Sequence, residues 1–255
     1  MIGVILIKKA EININEYIEK QLKTFKLIDI REQYQEQIQI AIAEELSYRD
    51  FLFNLLELEE LGKKNRRIER LVKEAHFENI KTLDEFDFEF HKNLNKQTIK
   101  DFFTLSFLER KENIIIIGPP GVGKTHIATA IGLKACELNQ KVRYAVASEL
   151  IDELFEAYKT DSFKEKFNKL SKIDLLIIDE LGYFKMDKEK ESIFFQLIRQ
   201  RYENSSLIIT TNLPLGKWDE IFTSKLAATA VLDRLVHHSH IVSITGDSYR
   251  VKGAK

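Results

Sequence analysis

Residues 113–125 constrain this chain more than any other stretch, because they join an apolar run directly to a glycine-rich loop. The four consecutive isoleucines at 114–117 are typical of a buried parallel strand. Gly118 then begins the pattern G-x-x-x-x-G-K-[ST], which ends at Lys124 and Thr125. Apolar residues at steps of three and four after Thr125 predict a helix. A strand, a phosphate-binding loop and a helix are therefore expected in that order.

Each part of this loop has an expected chemical role. The backbone N–H groups turn toward phosphate oxygens, and the N-terminus of the following helix adds positive potential. Lys124 is expected to reach the β- and γ-phosphates of a nucleotide, and the Thr125 hydroxyl is expected to hold Mg²⁺. The residues expected to contact the nucleotide here are Gly118, Pro119, Pro120, Gly121, Val122, Gly123, Lys124, Thr125 and His126.

Composition limits the class of protein. At 255 residues the chain is long enough for a full α/β core and a smaller appended module. Its formal net charge of −1 does not indicate nucleic-acid binding overall, so any basic surface must be local. The single cysteine, Cys136, excludes an internal disulfide and fits a reducing, cytoplasmic compartment. No apolar run approaches the ~18 residues of a membrane span, so no membrane partner is expected.

The chain divides into four segments by pattern. Residues 1–10 form a leader without a clear role. Helical apolar stripes predict a small all-α domain at 11–76, in which Gly62 is expected to end the third helix and a fourth follows. Residues 77–110 form a connecting segment whose aromatic side chains either pack over a core or wall an adenine pocket. Residues 111–255 form the nucleotide-binding domain.

Strands alternate with helices in this last segment, which predicts a doubly wound parallel sheet. Apolar runs predict further strands at 141–147, 174–180, 206–211 and 241–244. A whole strand, at 141–147, thus lies between the strand of the phosphate loop and the strand that ends in acids. Ligands of open α/β sheets bind beyond the carboxyl ends of the strands.

Three polar residues lie at or just after strand ends and are expected beside the phosphate loop. Asp179 suits Mg²⁺, directly or through water. Glu180 suits the polarising of an attacking water as general base. Asn212 is expected to touch the γ-phosphate or to orient the water, and its alternative role is to start the turn before Pro214.

Two arginines near the end of the chain are candidates for phosphate contacts. Arg234, on the final predicted helix, is expected to reach the γ-phosphate of a neighbouring subunit and to supply charge in the transition state. Asp233 offers an alternative in which it neutralises Arg234 locally. Arg250 follows the last strand, where a contact with phosphate in its own subunit is expected.

Three histidines, His237, His238 and His240, lie close together before the last strand. Metal sites use histidine pairs, but the sequence places no carboxylate or cysteine at ligand spacing beside them. A metal site is therefore not expected at this position.

A basic stretch lies near the end of the helical domain, with a single acid among its cations. Such a helix either lies along a DNA backbone or forms a solvated charged face, and the sequence does not choose between them. The candidate DNA-binding residues are Lys63, Lys64, Arg66, Arg67, Arg70 and Lys73.

Several of these motifs together resemble the IstB-type insertion-sequence ATPases. The resemblance is carried by Gly-Pro-Pro-Gly-Val-Gly-Lys-Thr-His, Leu-Leu-Ile-Ile-Asp-Glu-Leu-Gly-Tyr, Thr-Thr-Asn and Leu-Asp-Arg-Leu-Val-His-His-Ser-His. These ATPases are transposition helpers of the AAA+ superfamily, related to DnaC-type helicase loaders. The resemblance implies a P-loop NTPase of AAA+ type, a three-layer α/β sandwich with a parallel sheet, a small N-terminal all-α domain and no C-terminal lid.

The resemblance also implies a function. An ATP- and Mg²⁺-dependent homo-oligomer is expected to assemble on double-stranded DNA, with Arg234 completing the neighbour's site. It is expected to bend target DNA and to recruit the transposase of the same element. Two alternatives stay open, namely a helicase loader that acts in DNA replication and a nucleotide-dependent switch with negligible turnover.

Overall fold

A computed structural model describes residues 13–91 and 94–249. The contacts within the chain form two compact units, one that ends at Arg67 and one that begins at Ile68. The expected leader at 1–10 lies outside the described residues, and the proposed division of roles among the sequence segments stays a prediction. None of the helices in the described ranges combines the length and the apolarity needed to cross a lipid bilayer.

The first unit is helical. It contains α1 (Ile14–Thr24), α2 (Ile28–Ala43) and the first part of α3 (Tyr48–Ala75). The Asn13 side chain accepts hydrogen bonds from the first turn of α1, and the Ser47 hydroxyl accepts the Asp50 N–H at the start of α3. Both are N-terminal caps, which satisfy backbone donors that lack a partner within the helix.

The helix α3 runs through Gly62 without a break, so the predicted helix end there was wrong. A Cβ atom on Gly62 would overlap the carboxyl group of Asp29 in α2. The buried Glu59, one turn earlier, accepts the N–H groups of Asp29 and Ile30, and Arg66 pairs with both Asp29 and Glu59. The glycine therefore marks the close approach of α2 to α3, which outweighs its low helix propensity.

The second unit alternates helices and parallel strands. Its elements are α4 (Lys96–Phe102), α5 (Ser106–Glu109), β1 (Asn113–Ile117), α6 (Lys124–Glu137), β2 (Val142–Val146), α7 (Ala147–Lys159), α8 (Phe163–Leu170), β3 (Leu175–Leu181), α9 (Lys188–Arg201), β4 (Ser206–Thr211), a short 3₁₀ helix (Leu215–Glu220), α10 (Lys225–His237) and β5 (Ser239–Ser243). The strands form one sheet in the order β2-β3-β4-β1-β5, and every pairing is parallel. The predicted α/β fold is confirmed.

The sheet is buried on both faces, which explains the unbroken apolar runs of its strands. Ile114 and Ile116 of β1 belong to one hydrophobic cluster, with Ile127 and Ile131 of α6. Ile115 belongs to the cluster on the other face, which α7, α9 and α10 cover. Alternate residues of one strand thus serve two cores, and the unit has three layers.

Two helix boundaries in this unit follow from local backbone geometry. The helical stretch before β1 is divided into α4 and α5, because Leu105 has a left-handed backbone with φ of 58°. The helix α7 begins at Ala147 directly after β2, without a side-chain cap.

Candidate nucleotide-binding site

The glycine-rich loop connects β1 to α6 and takes its shape from two glycines. Gly121 and Gly123 have φ values of +82° and +87°, a left-handed conformation that side chains with a Cβ rarely adopt. A Cβ on Gly123 would also lie 2.6 Å from the Phe86 ring. Gly123 directly precedes α6, so the backbone N–H groups at the start of that helix are open toward the loop.

The loop is held from several sides. The mostly buried Lys124 donates from Nζ to the carbonyl of Pro119 at 2.9 Å, so its side chain lies across the loop. The N–H of Tyr249 donates to the carbonyl of Gly121 at 3.0 Å. His126 lies 2.7 Å from the carbonyl of Thr82 through Nε2. Among the other expected contact residues, Pro119 and Pro120 are exposed, whereas Gly118 and Val122 are buried.

Asp179, near the end of β3, is the centre of a buried hydrogen-bond network. Its carboxylate accepts from the Thr125 hydroxyl at 2.9 Å and 3.1 Å, from the Tyr144 hydroxyl at 2.8 Å, and from the Thr210 hydroxyl. The structure thus brings the phosphate-loop threonine and the acidic strand together, as expected. Tyr144 and Thr210 were missed by sequence reasoning, because their contact with Asp179 depends on the strand order and register.

Tyr144 is a permanent donor in this network. Burial raises the pKa of its hydroxyl well above the ordinary value for tyrosine, and the negative charge of Asp179 raises it further. The phenol therefore keeps its proton and donates it to Asp179. A buried carboxylate with three hydroxyl donors is held in one orientation.

Glu180 differs from Asp179 in side-chain exposure and in backbone conformation. Its side chain is exposed, and its backbone has a left-handed φ of 60° where the β3–β4 register shifts between Ile178 and Leu181. The backbone N–H of Glu180 donates to the Thr210 hydroxyl at 3.0 Å. This irregularity turns Glu180 out of the strand pattern and into the lining of a cavity.

Asn212 follows β4, the strand between β1 and β3. Its Oδ1 atom is buried and has no hydrogen-bond partner among the described residues. Gly182 makes room for this amide, since a Cβ there would lie 2.9 Å from Oδ1. A buried acceptor without a partner is uncommon and calls for a donor from a ligand or water.

A cavity of about 630 Å³ opens beside the loop. One wall comes from the loop and α6, through Gly123, Lys124 and Thr125, and the other from residues 78–91 of the connecting segment. Phe86 and His91 stack in that segment with ring centroids 5.7 Å apart. Burial lowers the pKa of His91, and Asp87 partly offsets this effect. Glu180, Tyr183 and Tyr249 complete the lining.

The two candidate arginines differ in what the structure describes. The Arg234 guanidinium lies over the Phe195 ring, 4.8 Å from its centroid, and donates to the carbonyl of Ala230 at 2.8 Å. Both contacts are within the same chain, and the guanidinium is half-buried. Arg250 lies outside the described residues.

The basic residues of α3 also fall into two groups. Arg66 is engaged with Asp29 and Glu59. The others are exposed, although Lys63 and Arg70 have acidic neighbours at 3.6 Å and 3.9 Å, in Glu59 and Glu74. The exposed group consists of Lys63, Lys64, Arg67, Arg70 and Lys73.

A family model described as IstB-like ATP binding protein matches residues 20–255. A relative from Pseudomonas aeruginosa, named for ATP binding in insertion sequence IS21, is 38% identical over 92% of this chain and 89% of its own. A second, named for ATP binding in insertion sequence IS232 of Bacillus thuringiensis subsp. berliner, is 40% identical over 94% of this chain and 96% of its own.

Solved structures share the fold. The DnaI structure is 20% identical with a TM-score of 0.56 and covers 69% of this chain and 94% of its own. The AMPPCP-bound DnaA structure from Aquifex aeolicus is 22% identical with a TM-score of 0.55, over 68% of this chain and 52% of its own. The structure of the DnaC helicase loader is 22% identical with a TM-score of 0.51, and it covers 58% of this chain and 86% of its own.

Proposed function

This chain belongs to the IstB-like ATP binding protein family, and we propose that it is an ATP-hydrolysing helper of DNA transposition. It would assemble on double-stranded DNA, bend it and recruit the transposase of the same insertion sequence. The relatives with 38% and 40% identity are named for insertion sequences, which favours transposition over replication. The main observation in support of nucleotide binding is the hydrogen bond between Thr125 and Asp179, which joins the phosphate loop to the acidic strand.

The residues beside the cavity fit a nucleoside triphosphate and its cation. The loop N–H groups and Lys124 would hold phosphate, and this requires Lys124 to leave the Pro119 carbonyl. The Thr125 hydroxyl and Asp179 would hold Mg²⁺, whose preferred ligands are oxygens. Bound Mg²⁺ would neutralise charge on the phosphates. Phe86 and other side chains of the 78–91 wall line the same cavity and would cover the base, which supports the adenine-pocket interpretation of this segment.

Glu180 and Asn212 are the proposed groups for hydrolysis. Glu180 is exposed on the cavity and would accept a proton from the attacking water. The unpartnered Oδ1 of Asn212 would accept a hydrogen bond from that water, or its amide would donate to the γ-phosphate. Because Asp179 is held by three hydroxyls and Glu180 by none among the described contacts, the two acids suit different tasks.

Arg234 is proposed to act on a neighbouring subunit. For this it would leave the Phe195 ring and the Ala230 carbonyl, contacts that hold it within its own chain. An arginine supplied by a second subunit makes hydrolysis depend on assembly. A homo-oligomer is therefore part of the proposal.

The exposed basic residues of α3 are the proposed DNA contacts. Arg66 is left out of this set, since its partners Asp29 and Glu59 already neutralise it. Lys64 and Arg67 are exposed, and no ion pair within the described residues occupies them. Contacts between cations and phosphates make binding strongly dependent on salt.

Duplex binding measured with ATP, ADP and no nucleotide tests the proposal. We expect ATP to promote binding, and Lys64→Glu with Arg67→Glu to reduce the slope of log affinity against log salt by about two. The control is Lys164→Glu with Lys172→Glu, the same charge change on exposed residues elsewhere. Equal slopes for both pairs would contradict the DNA assignment.

A second experiment separates the function classes. Glu180→Gln should abolish most phosphate release and retain ATP binding. An unchanged rate of phosphate release would instead support a switch without turnover. Co-purification with the transposase of the element supports the transposition role. Co-purification with a replicative helicase alone would overturn it in favour of a helicase loader.

A further inference from the structure

Far from the phosphate loop, the end of α10 meets the turn between α9 and β4. The two consecutive histidines at this end, His237 and His238, lie beside Glu203 of that turn. One ligand atom from each of these three side chains lies within 4.8 Å of the other two. Glu203 is the carboxylate that the sequence did not place near the histidines, because it precedes them by a full strand and helix.

The geometry points to a binding site for Zn²⁺ or a related divalent transition-metal ion, with His237, His238 and Glu203 as its protein ligands. Imidazole nitrogens and one carboxylate are a ligand set that suits Zn²⁺ and related transition metals. Mg²⁺ prefers oxygen ligands and would compete poorly for two imidazoles. The site has no part in the proposed ATPase chemistry.

The three ligand atoms are farther apart than in an occupied zinc site, but small side-chain rotations would bring them to coordination distance. Zinc–nitrogen bonds of about 2.0–2.1 Å in a tetrahedral site place ligand atoms about 3.3 Å apart. The Nε2 atom of His238 and a carboxylate oxygen of Glu203 are already 3.7 Å apart. The rings of His237 and His238 have centroids 4.1 Å apart. All three side chains are exposed, so small rotations that close the site meet little resistance.

Tyr202 supports one of these ligands. Its hydroxyl lies 2.9 Å from Nδ1 of His237, which fixes the orientation of that ring. Metal-binding histidines commonly use one ring nitrogen for the metal and the other for such a partner.

Three protein ligands leave at least one coordination position for water or for a donor from another molecule. A bound ion would also connect the turn after α9 to the end of α10. The helix α10 also carries Arg234, three residues before His237.

Titration of the complete, chelator-treated protein with ZnCl₂ in nucleotide-free buffer, followed by calorimetry, tests this site. We expect one saturable site per chain that excess MgCl₂ does not displace. His237→Ala with His238→Ala should abolish it, and Glu203→Gln should weaken it by at least about tenfold. Tyr202→Phe should weaken it without loss of stoichiometry, as expected for a positioning residue.

The control is His76→Ala, which removes an exposed histidine in the turn after α3. This variant should bind zinc as the unaltered protein does. Absence of saturable binding to the unaltered protein, or an equal loss in His76→Ala, would overturn the assignment. Thermal unfolding of each variant without metal verifies that the chain is folded, and the ATP-dependent measurements above do not depend on the outcome.

Discussion

The Thr210 hydroxyl of β4 donates a hydrogen bond to the Asp179 carboxylate of β3. The same oxygen accepts the backbone N–H of Glu180 at 3.0 Å. Thr210 is fully buried, so water does not replace either contact. One hydroxyl thus fixes both acids of the candidate site relative to each other.

We therefore expect Thr210→Val to reduce phosphate release by about ten- to hundredfold, because displacement of a reacting group by about 1 Å has such an effect. Binding of a non-hydrolysable ATP analogue should change much less. Thr210→Ser retains the hydroxyl and should retain most of the activity. Equal turnover in the valine variant would show that Glu180 does not depend on this contact.

The proposed role of Arg234 predicts complementation between two inactive variants. Glu180→Gln lacks the proposed base, and Arg234→Ala lacks the proposed arginine. An equal mixture should recover about one quarter of the unaltered activity if subunits exchange at random and the arginine acts on its neighbour. Phosphate release from the mixture and from each variant alone measures this. No recovery on mixing would indicate that Arg234 acts within its own subunit.

Arg201 is predicted to be a major contributor to stability. Its fully buried guanidinium donates to the carbonyls of Leu170, Ile173 and Ser206 at 2.9–3.1 Å. Burial lowers its pKa to about 10, and Asp174 partly offsets this, so the group stays charged at neutral pH. Arg201→Met would remove these three buried hydrogen bonds and should lower the free energy of unfolding by about 3 kcal/mol.

Urea denaturation measures this effect. The control is Arg199→Met on the same helix, where the side chain is exposed. Such a surface change should alter the free energy of unfolding by no more than about 0.5 kcal/mol. If both variants unfolded at the same urea concentration, the buried contacts of Arg201 would make no net contribution to the free energy of unfolding.

Gly62 gives a prediction that depends on its partner. Glycine to alanine within a helix normally stabilises by about 1 kcal/mol, but here a Cβ would displace Asp29 from Arg66. Gly62→Ala should therefore lack this gain in the unaltered chain and show it in an Asp29→Ala background. A double-mutant cycle on the free energy of unfolding measures the coupling, and strict additivity would contradict the predicted contact.

Cys136 should be unreactive in the folded protein. Burial raises the pKa of its thiol to about 12, and Glu137 adds to the effect. At pH 8 the thiolate fraction is then about 10⁻⁴, and the reactive form is the thiolate. A chromogenic thiol reagent should titrate one group per chain in denaturant and react far more slowly without it. Rapid labelling of the folded chain would mean that α6 opens locally.

The positions of the glycine-rich loop and of the acidic pair could be predicted because their sequence signals are local. The spacing of Gly118, Lys124 and Thr125 needs only a strand before it and a helix after it, and both are present. Asp179 was recognisable by its position at the end of an apolar run.

The remaining parts of the candidate site depend on contacts between distant residues. Tyr144 and Thr210 reach Asp179 from 35 and 31 residues away, through strand pairings that no local pattern specifies. Gly62 was misinterpreted for the same reason, since its role depends on Asp29 in another helix. Propensity describes a residue among its chain neighbours, whereas these roles arise from tertiary packing.

The position of β4 between β1 and β3 has a consequence for ligand length. Two interstrand steps of about 4.8 Å place the end of the loop strand about 10 Å from the end of the acidic strand. Main-chain hydrogen bonds set this gap, so replacement of side chains leaves it unchanged. The sheet therefore fixes the distance that a ligand bound beyond both strand ends would span.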